Sequence, residues 1–247
     1  VRANAGQVSL ESLWALNLLN GLEGKRALEW LDHPDAHLRR WVVRLLGDKG
    51  KVSDELARAM EAMAETEKDA EVLVQLAAAA KRLPSGQGLP LLQALAEREP
   101  VRGDERLPLM IWWGVEAHAE SGRKFLRKWY GEKDTWVHPV FSQTLAQRLM
   151  RRYAMAGGAQ NLNSCADLLD SAPDHHASRV LLAGLQLAFQ GTNIPPLPER
   201  LSRLMDSLAA KAGKNQLLIE VLRGNDKAIS QAVAVVGDSS ADAMERL

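Results

Sequence analysis

Two imidazoles and two carboxylates fall within six residues in the segment Asp32-His33-Pro34-Asp35-Ala36-His37. Both groups are ligands for zinc and similar cations, so this segment is a candidate metal site. Pro34 breaks the helical register that would place His33 and His37 on one face, and both aspartates are suited to capping helices. We therefore interpret the segment as a polar turn between helices and predict no metal ligand in it.

Three further groups have residue types found in active sites but lack the required spacing. His175 and His176 are adjacent, so on a helix they point about 100° apart. Cys165, the single cysteine, lies in an apolar helical phrase where a thiol is buried and inert. Residues 85–88 lack the additional Gly or Lys of a nucleotide-binding loop. We predict no catalytic residue and no cofactor-binding residue in this chain.

Residues 123–152 carry eight basic side chains against two acidic ones, in a chain whose net charge is zero. Trp129 and Tyr130 interleave with these bases, as stacking groups do in nucleic-acid grooves. We call residues 123–152 the basic segment. Its candidate partner-binding residues are Arg123, Arg127, Lys128, Trp129, Arg148, Arg151 and Arg152.

Three interpretations of the basic segment stay open. Its long side chains can cover apolar surface while their charged ends stay in water, they can dock a protein module, or they can track phosphates. A HEAT-like alkylpurine DNA glycosylase would also need a carboxylate beside an aromatic pocket, and Glu116 near Trp112 and Trp113 is the candidate. Zero net charge argues against a dedicated nucleic-acid binder, because duplex DNA requires a broad basic footprint.

The composition is that of an ordinary globular protein: 247 residues, 31 basic and 31 acidic side chains, and one cysteine. A chain of this length buries a sufficient core without disulfides or metal. No run of about 18 apolar residues is present, so the sequence predicts no membrane-spanning segment. The chain starts without Met, and we expect it to be a segment of a larger multidomain protein.

Five aspartates at intervals of 30 to 40 residues each precede a helical apolar pattern. They are Asp35, Asp69, Asp104, Asp134 and Asp174. An aspartate in this position caps a helix by accepting from its free N–H groups. The residues three, seven and eleven positions after each aspartate are all apolar, and these offsets trace one stripe of a helix. We call these fifteen positions the inner stripe and predict that they are buried.

Second helical patterns lie between these phrases, and no alternation typical of strands is present. They cover residues 24–31, 53–65, 88–98, 122–130, 162–169 and 198–212. Each repeat is then a helical hairpin that buries its apolar face against its neighbours. The sequence predicts an all-α fold in which residues 1–247 form a single α-solenoid of about six to seven helical hairpins, which the resemblance described next makes HEAT-like. Trp14, Trp41 and Trp112 are expected in the core, with the adjacent Trp113 pointing elsewhere.

Several segments resemble a known family. They are residues 35–46, which look like the first helix of a HEAT repeat, and 107–116, 136–140, 148–154, 165–169, 172–173 and 182–185. Together they resemble the HEAT-like middle region of planctomycete and verrucomicrobial proteins named membrane-bound dehydrogenase or haem-binding (cytochrome c type). In that family a sugar-dehydrogenase-like propeller precedes the helical region and a cytochrome c domain follows it.

The resemblance implies a non-catalytic scaffold or docking module that links a propeller to a cytochrome c domain in an exported, periplasmic or membrane-associated parent protein. Covalent haem attachment requires Cys-x-x-Cys-His, and the single cysteine is followed by Ala166-Asp167. We therefore expect no cofactor here, and a protein module as the partner, in the same chain or in trans. The alternative stays a HEAT-like DNA-binding protein or alkylpurine DNA glycosylase that uses the basic segment.

Overall fold

A computed structural model describes residues 6–99, 104–190, 195–211, 220–221 and 225–237. Within these ranges the secondary structure is helical and contains no strand, so the prediction of an all-α fold is confirmed. The α-helices are α1 (Gln7–Leu18), α2 (Gly24–Leu31), α3 (Ala36–Asp48), α4 (Asp54–Thr66), α5 (Ala70–Ala80), α6 (Ser85–Glu97), α7 (Arg106–His118), α8 (Arg123–Gly131), α9 (Ala146–Ala156), α10 (Gly158–Asp170), α11 (His175–Phe189), α12 (Glu199–Lys211) and α13 (Asp226–Gly237). A 3-10 turn (Lys133–Val137) and a π-helical segment (Val140–Leu145) lie between α8 and α9.

Four of the five repeated aspartates accept hydrogen bonds from the first turn of the helix that follows. Asp35 accepts from the N–H of His37 at 2.9 Å, and Asp69 accepts from Glu71 and Val72. Asp104 accepts from Arg106 and Leu107, and Asp174 accepts from Ala177. These side chains satisfy N–H groups that have no partner within the helix and so fix where each helix begins.

The remaining aspartate, Asp134, caps no α-helix, and this part of the prediction is wrong. Asp134 lies inside the 3-10 turn, and Val137, at the first inner-stripe position of this phrase, is 72% exposed. Pro139 explains the difference, because the residue before a proline is driven out of the helical region, and His138 is extended. The other fourteen inner-stripe residues are buried, at most 7% exposed.

The chain folds as two compact units, Val1–Leu145 and Ala146–Leu247. In the first unit the helices pack in two layers, because each contacts the next helix but one. Helices α1, α3, α5 and α7 form one layer, and α2, α4, α6 and α8 form the other. Stacked helical hairpins produce this pattern. A single solenoid of six to seven hairpins over residues 1–247 stays a prediction.

Three successive helices of the first unit meet at one polar contact in the core. His118 is buried on α7 and donates from Nε2 to the carbonyl of Ala80, at the end of α5, at 2.9 Å. Gly88 of α6 lies against both groups, and a Cβ atom added there would lie 2.8 Å from His118 Nε2 and closer still to the Ala80 oxygen. The imidazole thus satisfies a buried carbonyl that would otherwise lack a donor.

The second unit has its own close-packed core. Helix α9 packs on α11, and α10 contacts α9, α11 and α12. Gly184 of α11 lies directly against the backbone of Gln147 on α9, where a larger residue would clash. Arg200 of α12 pairs with Asp167 and Asp170 of α10, with 2.8 Å between its Nη2 and the Asp170 carboxylate. These contacts hold α12 on α10.

Candidate docking surfaces

The basic segment is divided between the two units. Arg123, Arg127, Lys128 and Trp129 lie on α8 of the first unit, and Arg148, Arg151 and Arg152 lie on α9 of the second. On α8, Lys124, Arg127 and Lys128 are exposed and Arg123 is half-buried. On α9, Arg151 is exposed, whereas Arg148 and Arg152 are half-buried. Each helix therefore offers its own cationic face.

Trp129 does not lie among the exposed bases, which corrects its prediction as a partner-binding residue. It is 2% exposed, packs against Phe141 with 5.6 Å between ring centroids, and donates from Nε1 to Glu97 Oε1 at 2.8 Å. Leu126, Trp129 and Tyr130 are the buried residues of α8, and their spacing of three and four defines one helix face. The apolar face of α8 anchors the helix, and its charged face points away from the core.

The histidines and aspartates of residues 32–37 form a turn. His33 Nδ1 accepts from the backbone N–H of Asp35 at 3.0 Å, and the His33 carbonyl accepts from Arg39 at 2.7 Å. Arg40 donates to His37 Nδ1 at 3.2 Å. Across the described residues no group of three or more His, Cys, Asp or Glu side chains is placed to hold a metal ion. The imidazole and carboxylate atoms of this turn that could bind a metal instead accept hydrogen bonds from the turn and from the start of α3.

Cys165 and Glu116 lie in different environments. Cys165 is buried on α10, and its Sγ lies 3.8 Å from the carbonyl oxygen of Met150. Glu116 is half-buried on α7, where Trp112 is 9% exposed and Trp113 is 49% exposed. The prediction that the two adjacent tryptophans point in different directions is confirmed.

Trp14 and Trp41 are half-buried rather than fully in the core, and they pack edge to face at 4.9 Å.

A buried ion pair connects two repeats of the first unit. Arg39 on α3 forms two parallel hydrogen bonds of 2.8 Å with Glu67, whose side chain is 4% exposed. Burial raises the pKa of Glu67, whereas the hydrogen bonds from Arg39 and from the N–H groups of Asp69 and Lys68 lower it. The lowering is the larger effect, so the pKa is below its ordinary value. The hydrogen bond to Glu67 raises the pKa of Arg39. Glu67 is therefore ionised and fully hydrogen-bonded.

A second, exposed surface runs across α3, α5 and α7, and we call it the outer face. Its residues stand two, five, nine and thirteen positions after the capping aspartate, opposite the inner stripe. Two groups of ion pairs lie on this face. Glu71 lies between Arg40, at 3.7 Å, and Arg106, at 2.8 Å, whereas Asp48 lies between Arg44, at 3.8 Å, and Arg82, at 3.4 Å.

The outer face differs from one helix to the next. Five positions after the aspartate stand Arg40, Val74 and Leu109, and nine positions after it stand Arg44, Ala78 and Trp113. At these two positions α3 carries arginines, α5 carries small half-buried residues and α7 carries apolar residues, with Leu109 41% and Trp113 49% exposed. The other two positions add Asp48 at the end of α3 and the exposed Arg106 at the start of α7. The Arg44 guanidinium also lies 5.5 Å from the ring centroid of Trp41.

Sequence reasoning did not identify the outer face as a candidate surface, although a signal for it was present. The alignment on the repeated aspartates that gives the inner stripe also gives the residues on the opposite side of each helix. These residues differ between repeats, and that variation distinguishes a surface from a core. The charge excess of the basic segment pointed to another helix instead.

No protein-family model, curated protein or solved structure matches the chain. None of the helices in the described ranges combines the length and the apolar character needed to cross a membrane.

Proposed function

We propose that this chain is a non-catalytic helical-repeat module that docks another protein module, in the same chain or in trans. The observation that carries the proposal is the exposed face of α8. Lys124, Arg127 and Lys128 lie there, and residues 123–131 contain no acidic side chain. Because the opposite face is anchored by Trp129, α8 holds these cations on the side that points away from the core. A cationic face of this kind favours an acidic protein surface.

Four side chains of types used in catalysis are engaged in structural contacts among the described residues, which favours a docking role. His33, Asp35 and His37 hydrogen-bond within one turn and its helix, and His118 serves a backbone carbonyl. An active site requires titratable groups that converge on a space where substrate can lie. The family resemblance supports the same proposal, because the helical region of that family lies between a dehydrogenase-like propeller and a cytochrome c domain in an exported protein.

The proposal is tested with labelled poly-glutamate of about 30 residues as the acidic probe. The double variant Lys124→Glu, Lys128→Glu reverses two exposed charges and should weaken binding about tenfold, mainly through slower association. Binding by the parent should also weaken with salt, because exposed charges are screened. Lys51→Glu, an exposed lysine before α4, is the matched control and should bind as the parent does. No binding, or equal binding by all three proteins, would contradict the proposal.

A duplex of about 20 base pairs separates protein docking from nucleic-acid binding. The test uses about 50 mM salt because a phosphate-tracking protein binds most tightly at low salt. Under this condition we expect no DNA binding at micromolar protein. Tight DNA binding, with release of a base that is lost in Glu116→Gln, would instead establish the glycosylase alternative. The Glu116→Gln variant preserves side-chain volume, so its effect reports on the carboxylate.

A further inference from the structure

Helix α1 is held on the first unit by a small buried surface. Three of its twelve residues are buried, Ser9, Leu10 and Leu13, whereas α5 buries six of eleven. Two other apolar residues of α1 face the solvent, Val8 at 57% and Leu18 at 81% exposure. Because buried apolar area is the main source of packing free energy, α1 is held on α3 more weakly than α5 is.

Three polar atoms of α1 and α3 are shielded from solvent and have no hydrogen-bond partner among the described residues. They are the indole nitrogens of Trp14 and Trp41 and the side-chain oxygen of Asn17. Trp14 and Asn17 lie one turn apart on α1, and Trp14 packs on Trp41 of α3. An unpaired polar atom that is kept from water costs free energy, and separation of the two helices returns these atoms to water.

The packing beneath α1 is also incomplete. Leu13 points into the unit and lines a narrow gap together with Trp30, His33, Leu38 and Val42. We call these last four residues the α1 seat. The gap is too narrow to hold a water molecule. Its lining therefore loses dispersion contacts without gaining hydration, which weakens the attachment of α1 further.

The connection between α1 and α2 allows α1 to move while α2 stays in place. Asn20 follows α1 with a φ of 54°, and among the described residues it is the one non-glycine residue in the left-handed region. Leu22 is fully buried, and its carbonyl accepts from Lys49 Nζ at 2.8 Å. The chain is therefore anchored from Leu22 onward. A few residues at the end of an element can absorb a hinge motion, and here they are Asn20 and Gly21.

We propose that α1 is a lid that detaches as a unit from its seat, about a hinge at Asn20 and Gly21, while α2 to α6 stay folded. The first unit then interconverts between a closed form and an open form in which the apolar seat is accessible. Elements with few buried contacts open at a free energy well below that of global unfolding. This inference goes beyond the proposed docking role, because it does not involve the cationic face of α8.

Hydrogen exchange of the whole protein, followed residue by residue by NMR, tests the proposal. The hydrogen-bonded amides of α1 should exchange at least about 100-fold faster than those of α5. Their protection should be similar along the helix, because one opening event exposes them all. Protection as high as in α5 would overturn the proposal. So would protection that rises steadily away from the first turn, because that gradient indicates fraying of the helix end.

Two matched substitutions on α1 separate its attachment from its intrinsic helix stability. Leu13→Ala removes a side chain that packs on the seat and should speed exchange of α1 at least about tenfold, with α5 unchanged. Leu18→Ala makes the same chemical change at an exposed position and should alter exchange of α1 by less than about twofold. Equal effects of the two substitutions would overturn the proposal. Circular dichroism verifies that both variants are folded.

Thiol labelling measures whether the seat becomes accessible. Val42→Cys places a thiol in the seat, and Val72→Cys places one at an equally buried position on α5. In the open form the thiol at residue 42 is uncovered, so it should react at least about tenfold faster than the thiol at residue 72. The parent protein, whose one cysteine is the buried Cys165, gives the background rate. Equal rates at residues 42 and 72 would overturn the proposal.

Discussion

The indole N–H of Trp129 donates to Oε1 of Glu97 at 2.8 Å, and this bond attaches α8 to α6. Gln93 donates to the same oxygen at 2.8 Å, so the carboxylate is held from two sides. The indole N–H of Trp41 is equally shielded from solvent, but it has no acceptor among the residues that the structure describes. Trp129 and Trp41 therefore differ in whether the indole N–H has a hydrogen-bond acceptor.

Trp129→Phe should destabilise the protein by about 2 kcal/mol more than Trp41→Phe. The first substitution removes a hydrogen bond to a charged group, whereas the second removes a donor that was buried at a cost. Urea denaturation of both variants gives the comparison. A double-mutant cycle between Trp129→Phe and Glu97→Ala isolates the bond from the change in packing, and a coupling energy of zero would contradict the assignment.

Glu67→Gln should lower the free energy of unfolding by about 2 kcal/mol at pH 7, because it removes the charge that strengthens two hydrogen bonds from the half-buried Arg39. The folded-state pKa of Glu67 is lowered, so its stabilising effect is present above the unfolded pKa of about 4.3 and is lost as the pH falls through the folded value. The difference between parent and variant should therefore shrink at pH 3. Glu65→Gln, an exposed glutamate on α4, is the control and should have little effect at either pH.

The capping aspartates should separate into two classes on substitution by alanine. Asp69→Ala removes the acceptor for two N–H groups of α5 and should cost about 1 kcal/mol. Asp134→Ala should cost much less, because the Asp134 side chain makes no capping hydrogen bond. Thermal unfolding of the two variants measures the difference. Equal losses would mean that the phrase after Asp134 begins with a cap after all.

A charged substitution on the inner stripe should be severe at a buried position and mild at the exposed one. Leu76 is fully buried, so Leu76→Asp places an unpaired charge in the core and should prevent folding or reduce stability severely. Val137→Asp should change the free energy of unfolding by less than about 0.5 kcal/mol, because Val137 is 72% exposed. Circular dichroism with denaturant titration distinguishes the outcomes. A Leu76→Asp protein that melts like the parent would contradict the register of α5.

The core was predictable because burial repeats with the capping aspartates. One local effect interrupted that repetition: Pro139 keeps His138 extended, and the buried residues around it become Trp136 and Val140 instead of Val137. Trp129 was misplaced because the charges of α8 outweighed the periodicity of its buried face, formed by Leu126, Trp129 and Tyr130. Both errors had a signal in the sequence.

The candidate site on the outer face was beyond prediction for a different reason. Its definition depends on the register between separate helices, which brings together residues such as Arg106 and Glu71, 35 residues apart. Helical periodicity reports which side of one helix is buried, but it carries no information on which side chains face each other across two helices. Such pairings depend on rotamers and on interhelical distance, which one sequence does not specify.

The contact between Gly88 and His118 has a consequence for how this protein evolves. A Cβ atom at residue 88 would lie closer to the backbone carbonyl of Ala80 than to the imidazole, so glycine is required there whatever residue occupies 118. Replacing His118 with a smaller residue removes only one of the two clashes and leaves that carbonyl without its donor. We expect glycine at 88 among homologous chains even where residue 118 is not histidine.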